Sequence, residues 1–126
     1  MDLVFDSSIL IDNLRGGIRF KYLFEKVDSK TRIVVPTIVV MEIFSGKSTR
    51  SEKQLKDAKK LLFLFEKVDL TEKIAIKAGE LYRDISQTLS IPDYIIAATA
   101  LEINAAVATL NKKHFSKIQN LLIYPI

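Results

Sequence analysis

An α/β fold, a parallel sheet with helices on both of its faces, is what this sequence predicts, and three observations carry the prediction. Strand-like and helix-like stretches alternate from end to end. The strand-like stretches, such as Leu-Val-Phe at 3–5 and Ile-Val-Val at 33–35, are short unbroken apolar runs, as expected of strands covered on both faces. The segments between them are long enough for the helical crossovers that parallel pairing needs. With 126 residues, 48% of them hydrophobic and 27% charged, the chain has the proportions of a single domain over 1–126.

Taken in order, residues 3–5 form a strand that closes at Asp6, and Ser7 or Ser8 caps a helix through Asn13 that stops at Gly16 and Gly17. Ile18, Tyr22, Leu23 and Val27 have helical spacing, and Asp28-Ser29-Lys30 turns the chain. Arg32 to Val35 is the second strand, closed by Pro36, after which Thr37 caps a helix that Gly46 ends. Ser51-Glu52-Lys53-Gln54 fits a capping box, and Leu55, Ala58, Leu61, Leu62 and Phe65 share one face of the helix it starts. Glu66 to Leu70 reads as a short edge strand, and Thr71 begins a helix whose apolar face is Ile74, Ala78, Leu81, Tyr82 and Ile85. After Ser90 comes IPDYIIAATALEI, so apolar all round that it belongs in the core. A strand at Ala106 to Thr109, a basic connection and a last strand at Leu121 to Tyr124 complete a sheet of about five strands.

Composition narrows the chemistry. There is no cysteine, which excludes disulfides and thiolate metal sites, so a metal here is held by oxygen, with the lone His114 as the remaining alternative. The start MDLVFDSS has no basic segment followed by an apolar one, and no run reaches membrane-spanning length; a cytoplasmic protein without membrane contact is expected. The net charge is +4, and drawing acids into one site leaves the remaining surface more basic, which suits an anionic polymer.

Three carboxylates stand out. Asp6 lies where a strand gives way to a helix, which suits a helix cap and equally suits a ligand, because open parallel sheets bind ligands beyond the carboxyl ends of their strands. Glu42 interrupts IVVMEIF, and its neighbours one turn away, Ile38, Val39, Ser45 and Gly46, include no cation to pair with it. It occupies either a narrow solvent stripe or a buried site that needs compensation. Asp93 follows Ser90-Ile91-Pro92 in the first turn of the apolar helix, where a cap and helix-dipole role is sufficient by itself. Taken together, Asp6 and Asp93 at strand-to-helix junctions and Glu42 just after the second strand can meet at one edge of the sheet. Clustered carboxylates repel one another unless a divalent cation compensates, and all-oxygen ligation points to Mg²⁺ or Mn²⁺ acting on phosphate esters.

The stretches DSSILIDNL (6–14), PTIVVMEIFSG (36–46), IPDYIIAATALE (91–102) and ATLNKKHFSKI (108–118), in this order, resemble the PIN domain, and within it the VapC-type toxins. The resemblance spans essentially the whole chain. It implies a three-layer α/β/α fold around a parallel sheet of about five strands, an acidic pocket holding Mg²⁺ or Mn²⁺, and endoribonuclease activity. It also implies a small antitoxin that blocks the pocket, and a homodimer. Asp6, Glu42 and Asp93 match the family's three main acidic positions. A fourth acid is frequent in the family, but Asn111 stands at the nearest position, with Thr109 beside it as a source of a hydroxyl.

Other residues have ordinary readings beside functional ones. Asp12 also matches a recurrent family residue, but Arg15 three residues on is a sufficient partner. His114 reads as a loop anchor before a general acid, and Tyr94 as a packing residue before a base-stacking one. Lys112, Lys113 and Lys117 follow the pocket in sequence and can touch RNA phosphates or remain simply solvated. Phe63 and Leu64, on the far side of the 51–65 helix, offer a homodimer face or a groove for an antitoxin helix. Two rival functions remain: a catalytically weakened PIN-like module that binds RNA or protein, suggested by Asn111, and a receiver-like or flavodoxin-like module. Four glycines and no glycine-rich phosphate loop count against nucleotide binding.

Overall fold

The first strand, β1 (Asp2–Phe5), runs through the middle of the molecule, with Val4 and Phe5 wholly inaccessible to solvent. The computed structural model describes residues 1–85 and 88–126, and for Lys47 and Ser48 the backbone alone. β1 pairs in parallel with β2 (Ile33–Pro36) on one side, Val4 opposite Val34, and with β4 (Ala105–Ala108) on the other, Phe5 opposite Ala108. β3 (Glu66–Val68) adds to the outer side of β2, so the strand order is β3-β2-β1-β4. Its charged residues Glu66 and Lys67 suit an edge, where a short polar strand discourages further pairing.

The sheet therefore has four strands rather than about five. The expected last strand is reduced to a single parallel bridge, Ile123 opposite Val107. Asn120 is in the left-handed region at φ 68° and turns the chain immediately before Leu121, which prevents pairing further upstream along β4.

Helices α1 (Ser7–Leu14), α2 (Arg19–Lys26), α3 (Thr37–Phe44), α4 (Glu52–Phe63), α5 (Glu72–Asp84), α6 (Ile91–Ile103) and the short α7 (Lys112–Phe115) flank the sheet. The cap of α1 is Asp6 rather than Ser7 or Ser8: its Oδ1 accepts the Ser7 N–H at 2.8 Å. Thr37 is the first residue of α3 rather than its cap, because the preceding Pro36 holds the extended conformation that a cap needs. Gly16 at φ 92° makes the turn after α1. On α6, Ile96, Ala97, Ala98 and Ala100 are fully buried, as its uniformly apolar sequence predicts. Phe5, Phe20 and Phe65 pack edge-on or tilted, with ring centroids 5.0–5.8 Å apart, and join β1 to α2 and the end of α4.

The cap of α4 is the one the sequence predicts, and Thr71, expected to begin α5, is its cap. Ser51 accepts the Gln54 N–H and Thr71 the Ile74 N–H, both at 3.2 Å. Ser51→Ala and Thr71→Ala are each expected to cost about 1 kcal/mol in urea unfolding, and the double variant about the sum, since the caps belong to different helices. A loss near zero for both would show that these hydroxyls are replaced by water.

Candidate functional site

The parallel sheet explains how three distant acids meet. Asp6 follows β1 directly, and α3, which carries Glu42, begins directly after β2. Asp93 is not at a strand-to-helix junction as expected, because α5 lies between β3 and α6. α6 nevertheless returns the chain to the start of β4, which is parallel to β1, so its first turn also lies at the carboxyl edge of the sheet.

Asp6 is 2% exposed and fixed at both oxygens. Oδ2 accepts the hydroxyls of Ser8 at 2.8 Å and Thr109 at 2.7 Å, in addition to the Ser7 N–H at Oδ1. Each hydroxyl is itself held by the chain after β4: Leu110 N–H donates to Ser8 Oγ at 3.1 Å, and Asn111 N–H to Thr109 Oγ1 at 2.9 Å. The cap reading and the pocket reading of Asp6 are thus compatible. Capping sets the carboxylate's position, and its remaining lone pairs stay available.

Glu42 and Asp93 are electrostatically coupled to Asp6. Burial, and then the charges of Asp6 and Asp93, push the Glu42 carboxyl up to about 6, against the Ser7 side chain, which pulls it down. Glu42 Oε1 is buried and has no hydrogen-bond partner. Asp93 is also raised, by burial first and by the Asp6 charge, while Ser90 and His114 oppose the shift. His114 Nδ1 stands 3.6 Å from Asp93 Oδ2. Among the described residues, none of the three acids forms an ion pair with lysine or arginine. Glu42 also lines a groove of about 380 Å³ whose apolar walls are Ile11, Leu14 and Ile43.

The remaining sequence-predicted residues divide clearly. Thr109 is wholly buried and bonded to Asp6, whereas Asn111 reaches the cluster through its backbone N–H and is itself exposed. Lys112, Lys113 and Lys117 are all exposed; Lys117 Nζ donates to Thr88 Oγ1 at 3.2 Å. Tyr94 is 1% exposed and packs edge-on against Tyr82, so it is a core residue and no platform for a base. Asp12 does not pair with Arg15 among the described residues: its carboxylate lies against Gly17, where any added Cβ would fall 2.1 Å from Oδ2. Sequence reasoning missed Ser8, which reads as a helix-capping serine, and the approach of His114 to Asp93, which only the path of α7 produces.

Carboxylates gathered without a cation, one of them with an orphaned buried oxygen, are a fitting environment for a divalent ion. Among the described residues, no three His, Cys, Asp or Glu side chains are drawn together tightly enough to hold an ion by themselves. Mg²⁺ characteristically keeps several of its waters and binds through one or two carboxylates, so a loose acidic cup fits it better than a closed cage would.

The PIN domain family model matches residues 3–121. The chain is 30% identical over 104 residues to ribonuclease VapC2 of Rickettsia felis, covering 79% of this chain and 78% of that one. It is 29% identical over 122 residues to ribonuclease VapC10 of Mycobacterium tuberculosis, covering 94% and 90%. A toxin–antitoxin complex from Klebsiella pneumoniae superposes with a TM-score of 0.80 at 27% identity over 98% of this chain and 99% of the other. With a matching family model over nearly its whole length and relatives of this kind, the chain belongs to the PIN domain family, among its VapC-type members.

Proposed function

We propose that residues 1–126 act as one domain, a cytoplasmic endoribonuclease that depends on Mg²⁺ or Mn²⁺ and serves as the toxin of a toxin–antitoxin pair. One observation carries the reading: the charges of Asp6 and Asp93 raise the cost of charging Glu42, and that of Asp6 the cost of charging Asp93, with no lysine or arginine paired to the three acids among the described residues. Support comes also from the relatives named as ribonucleases and from the Klebsiella pneumoniae toxin–antitoxin complex. No helix of the described residues is long and apolar enough to cross a membrane.

In this reading Asp6 and Asp93 would hold the ion, and Glu42 would act on it through water. When bound, it supplies charge stabilisation to the scissile phosphate and acidifies a water. Asp6 gives the site a fixed reference point, because Ser7, Ser8 and Thr109 leave its carboxylate no freedom to turn. Glu42, made more basic than an ordinary carboxylate by burial and by the charges of Asp6 and Asp93, accepts a proton from the attacking water. The water oxygen bonds to phosphorus, the bond from phosphorus to the departing ribose oxygen breaks, and that oxygen takes up a proton from solvent as Glu42 returns its own to solvent. The groove walled by Ile11, Leu14 and Ile43 opens onto Glu42 and suits an antitoxin segment that brings a cation to the acids. Phe63 and Leu64 are 85% and 50% exposed, and we assign them to a protein contact, either with that antitoxin or with a second copy in a homodimer.

The test is cleavage of total RNA by the purified chain. Products are expected with Mg²⁺ or Mn²⁺, none in EDTA, and recovery when the metal is restored. Equal cleavage in EDTA overturns the metal site. Tight RNA binding with no turnover in any divalent metal favours the weakened module that Asn111 suggests.

A further inference from the structure

We propose that the groove between the start of α2 and the Thr109–Lys112 segment is a nucleotide subsite, in which one base of single-stranded RNA lies on Tyr22 and Ile18 while Arg19 and Lys112 hold the adjoining phosphates. This rests on the nuclease reading and extends it to a part of the surface that the acids do not reach.

The groove has a volume of about 440 Å³, within the range of sites that take a small ligand. Thr109 forms part of its wall, and the same residue's hydroxyl donates to Asp6 Oδ2 at 2.7 Å, so groove and acidic pocket adjoin. α2 does not need Tyr22 or Ile18 for its own attachment, because it docks through Phe20 and Leu23, both buried. Ile18 and Tyr22, one helical turn apart, remain 74% and 55% exposed. Lys26 Nζ donates to the Tyr22 hydroxyl at 2.5 Å and lies 3.9 Å from the ring centroid, so it stands at the hydroxyl end and leaves the exposed ring surface for a base.

Charge selects the occupant. None of the side chains lining the groove is acidic; Arg19 makes no ion pair among the described residues, and Lys112 donates to a main-chain oxygen of Ile126 at a long 3.3 Å. An acidic peptide would satisfy the two cations but has no regular use for a flat apolar platform between them. Single-stranded RNA presents an anion and a planar apolar face at every step, and stacked bases on aromatic side chains beside a cationic track are how such strands are held. A duplex keeps its bases stacked inside and cannot use Tyr22.

Fluorescence anisotropy with a labelled single-stranded oligoribonucleotide tests this, using the full chain carrying Asp6→Asn in EDTA so that nothing is cleaved. Adding Tyr22→Ala should weaken binding about tenfold, and Tyr22→Phe should retain it. An oligomer of abasic sites should bind with and without Tyr22→Ala alike. Arg19→Gln and Lys112→Gln should each lower the salt dependence by about one phosphate contact, whereas Lys113→Gln, outside the groove, should not. Unchanged affinity in Tyr22→Ala, or equal losses for Lys113→Gln and Lys112→Gln, overturns the subsite. If the unmodified chain cleaves RNA and the groove variants bind and cleave as it does, the subsite alone falls. If it cleaves nothing in any divalent metal but binds through Tyr22 and Arg19, the nuclease reading falls and the subsite stands.

Discussion

Asp6→Asn is expected to lower RNA cleavage by at least about 10²- to 10³-fold, the usual consequence of removing one preorganised electrostatic group from a reacting centre, while leaving the chain folded. The hydrogen bonds around Asp6 explain why the two effects separate. The amide of asparagine keeps the size of the carboxylate, and its oxygen can still accept the Ser7 N–H. The amide nitrogen then faces the hydroxyls of Ser8 and Thr109, each of which has a free lone pair after accepting the Leu110 or Asn111 N–H, and both hydroxyls must turn their protons elsewhere. That rearrangement costs about 1 kcal/mol, the price of an ordinary buried hydrogen bond. The charge is lost completely. Parallel measurement of the melting temperature and of the cleavage rate in Mg²⁺ decides the matter: a folded Asp6→Asn that cleaves within a few-fold of the parent removes Asp6 from the active site, and Asp93→Asn is expected to behave alike.

Most of the fold could be read from the chain because its signals are local. Unbroken runs such as Leu3-Val4-Phe5 and Ile33-Val34-Val35 announce strands buried on two faces, and the caps at Ser51 and Ser90 form where their spacing predicts. The failures are non-local or conformational. Leu121 to Tyr124 has the composition of a strand, but the left-handed turn at Asn120 leaves it one bridge, and an asparagine does not announce which backbone region it will occupy. Helix α1 starts one residue earlier than the serines suggest because Asp6 takes the capping role itself.

The site was legible as a set of residues and less so as an arrangement. That Glu42 lacks a cation one turn away follows from the helical repeat, and the orphaned Oε1 is the structural counterpart of that absence. Ser8 and Thr109, 101 residues apart, converge on one carboxylate oxygen only because β4 lies beside β1, which residue types alone do not reveal. Spacing pairs Asp12 with Arg15; in the structure the tight turn after α1, closed by the Gly17 N–H on the Asp12 main-chain oxygen, instead lays Gly17 against the carboxylate, whose Oδ2 has no hydrogen-bond partner. Tyr22 has the spacing of an apolar helix position, yet the inward positions of α2 belong to Phe20 and Leu23.

Glu42→Gln is expected to push stability and activity in opposite directions. In the folded protein without metal, Glu42 titrates at about 6 against an ordinary value of 4.5, mainly because burial disfavours its charge and next to it stand Asp6 and Asp93. A raised value means that folding favours the protonated form. The stabilising contribution is therefore complete below pH 4.5, declines as the pH rises through about 6, and is absent at pH 7.5. Asp93, also raised, adds to the trend in the same sense. Glutamine cannot acquire the charge, so in EDTA at pH 7.5 the variant should be the more stable, by on the order of 1 kcal/mol once solvent screening of a half-buried group is allowed for. That corresponds to a melting temperature higher by roughly 3–5 °C, and the difference should vanish at pH 4. Mg²⁺ should reverse the order at pH 7.5, since it stabilises the parent by binding to the charged cluster and the variant less. RNA cleavage by the variant should fall about 10²-fold or more. A variant that melts below the parent in EDTA at pH 7.5, or a difference that does not change with pH, would mean that Glu42 carries no buried, uncompensated charge.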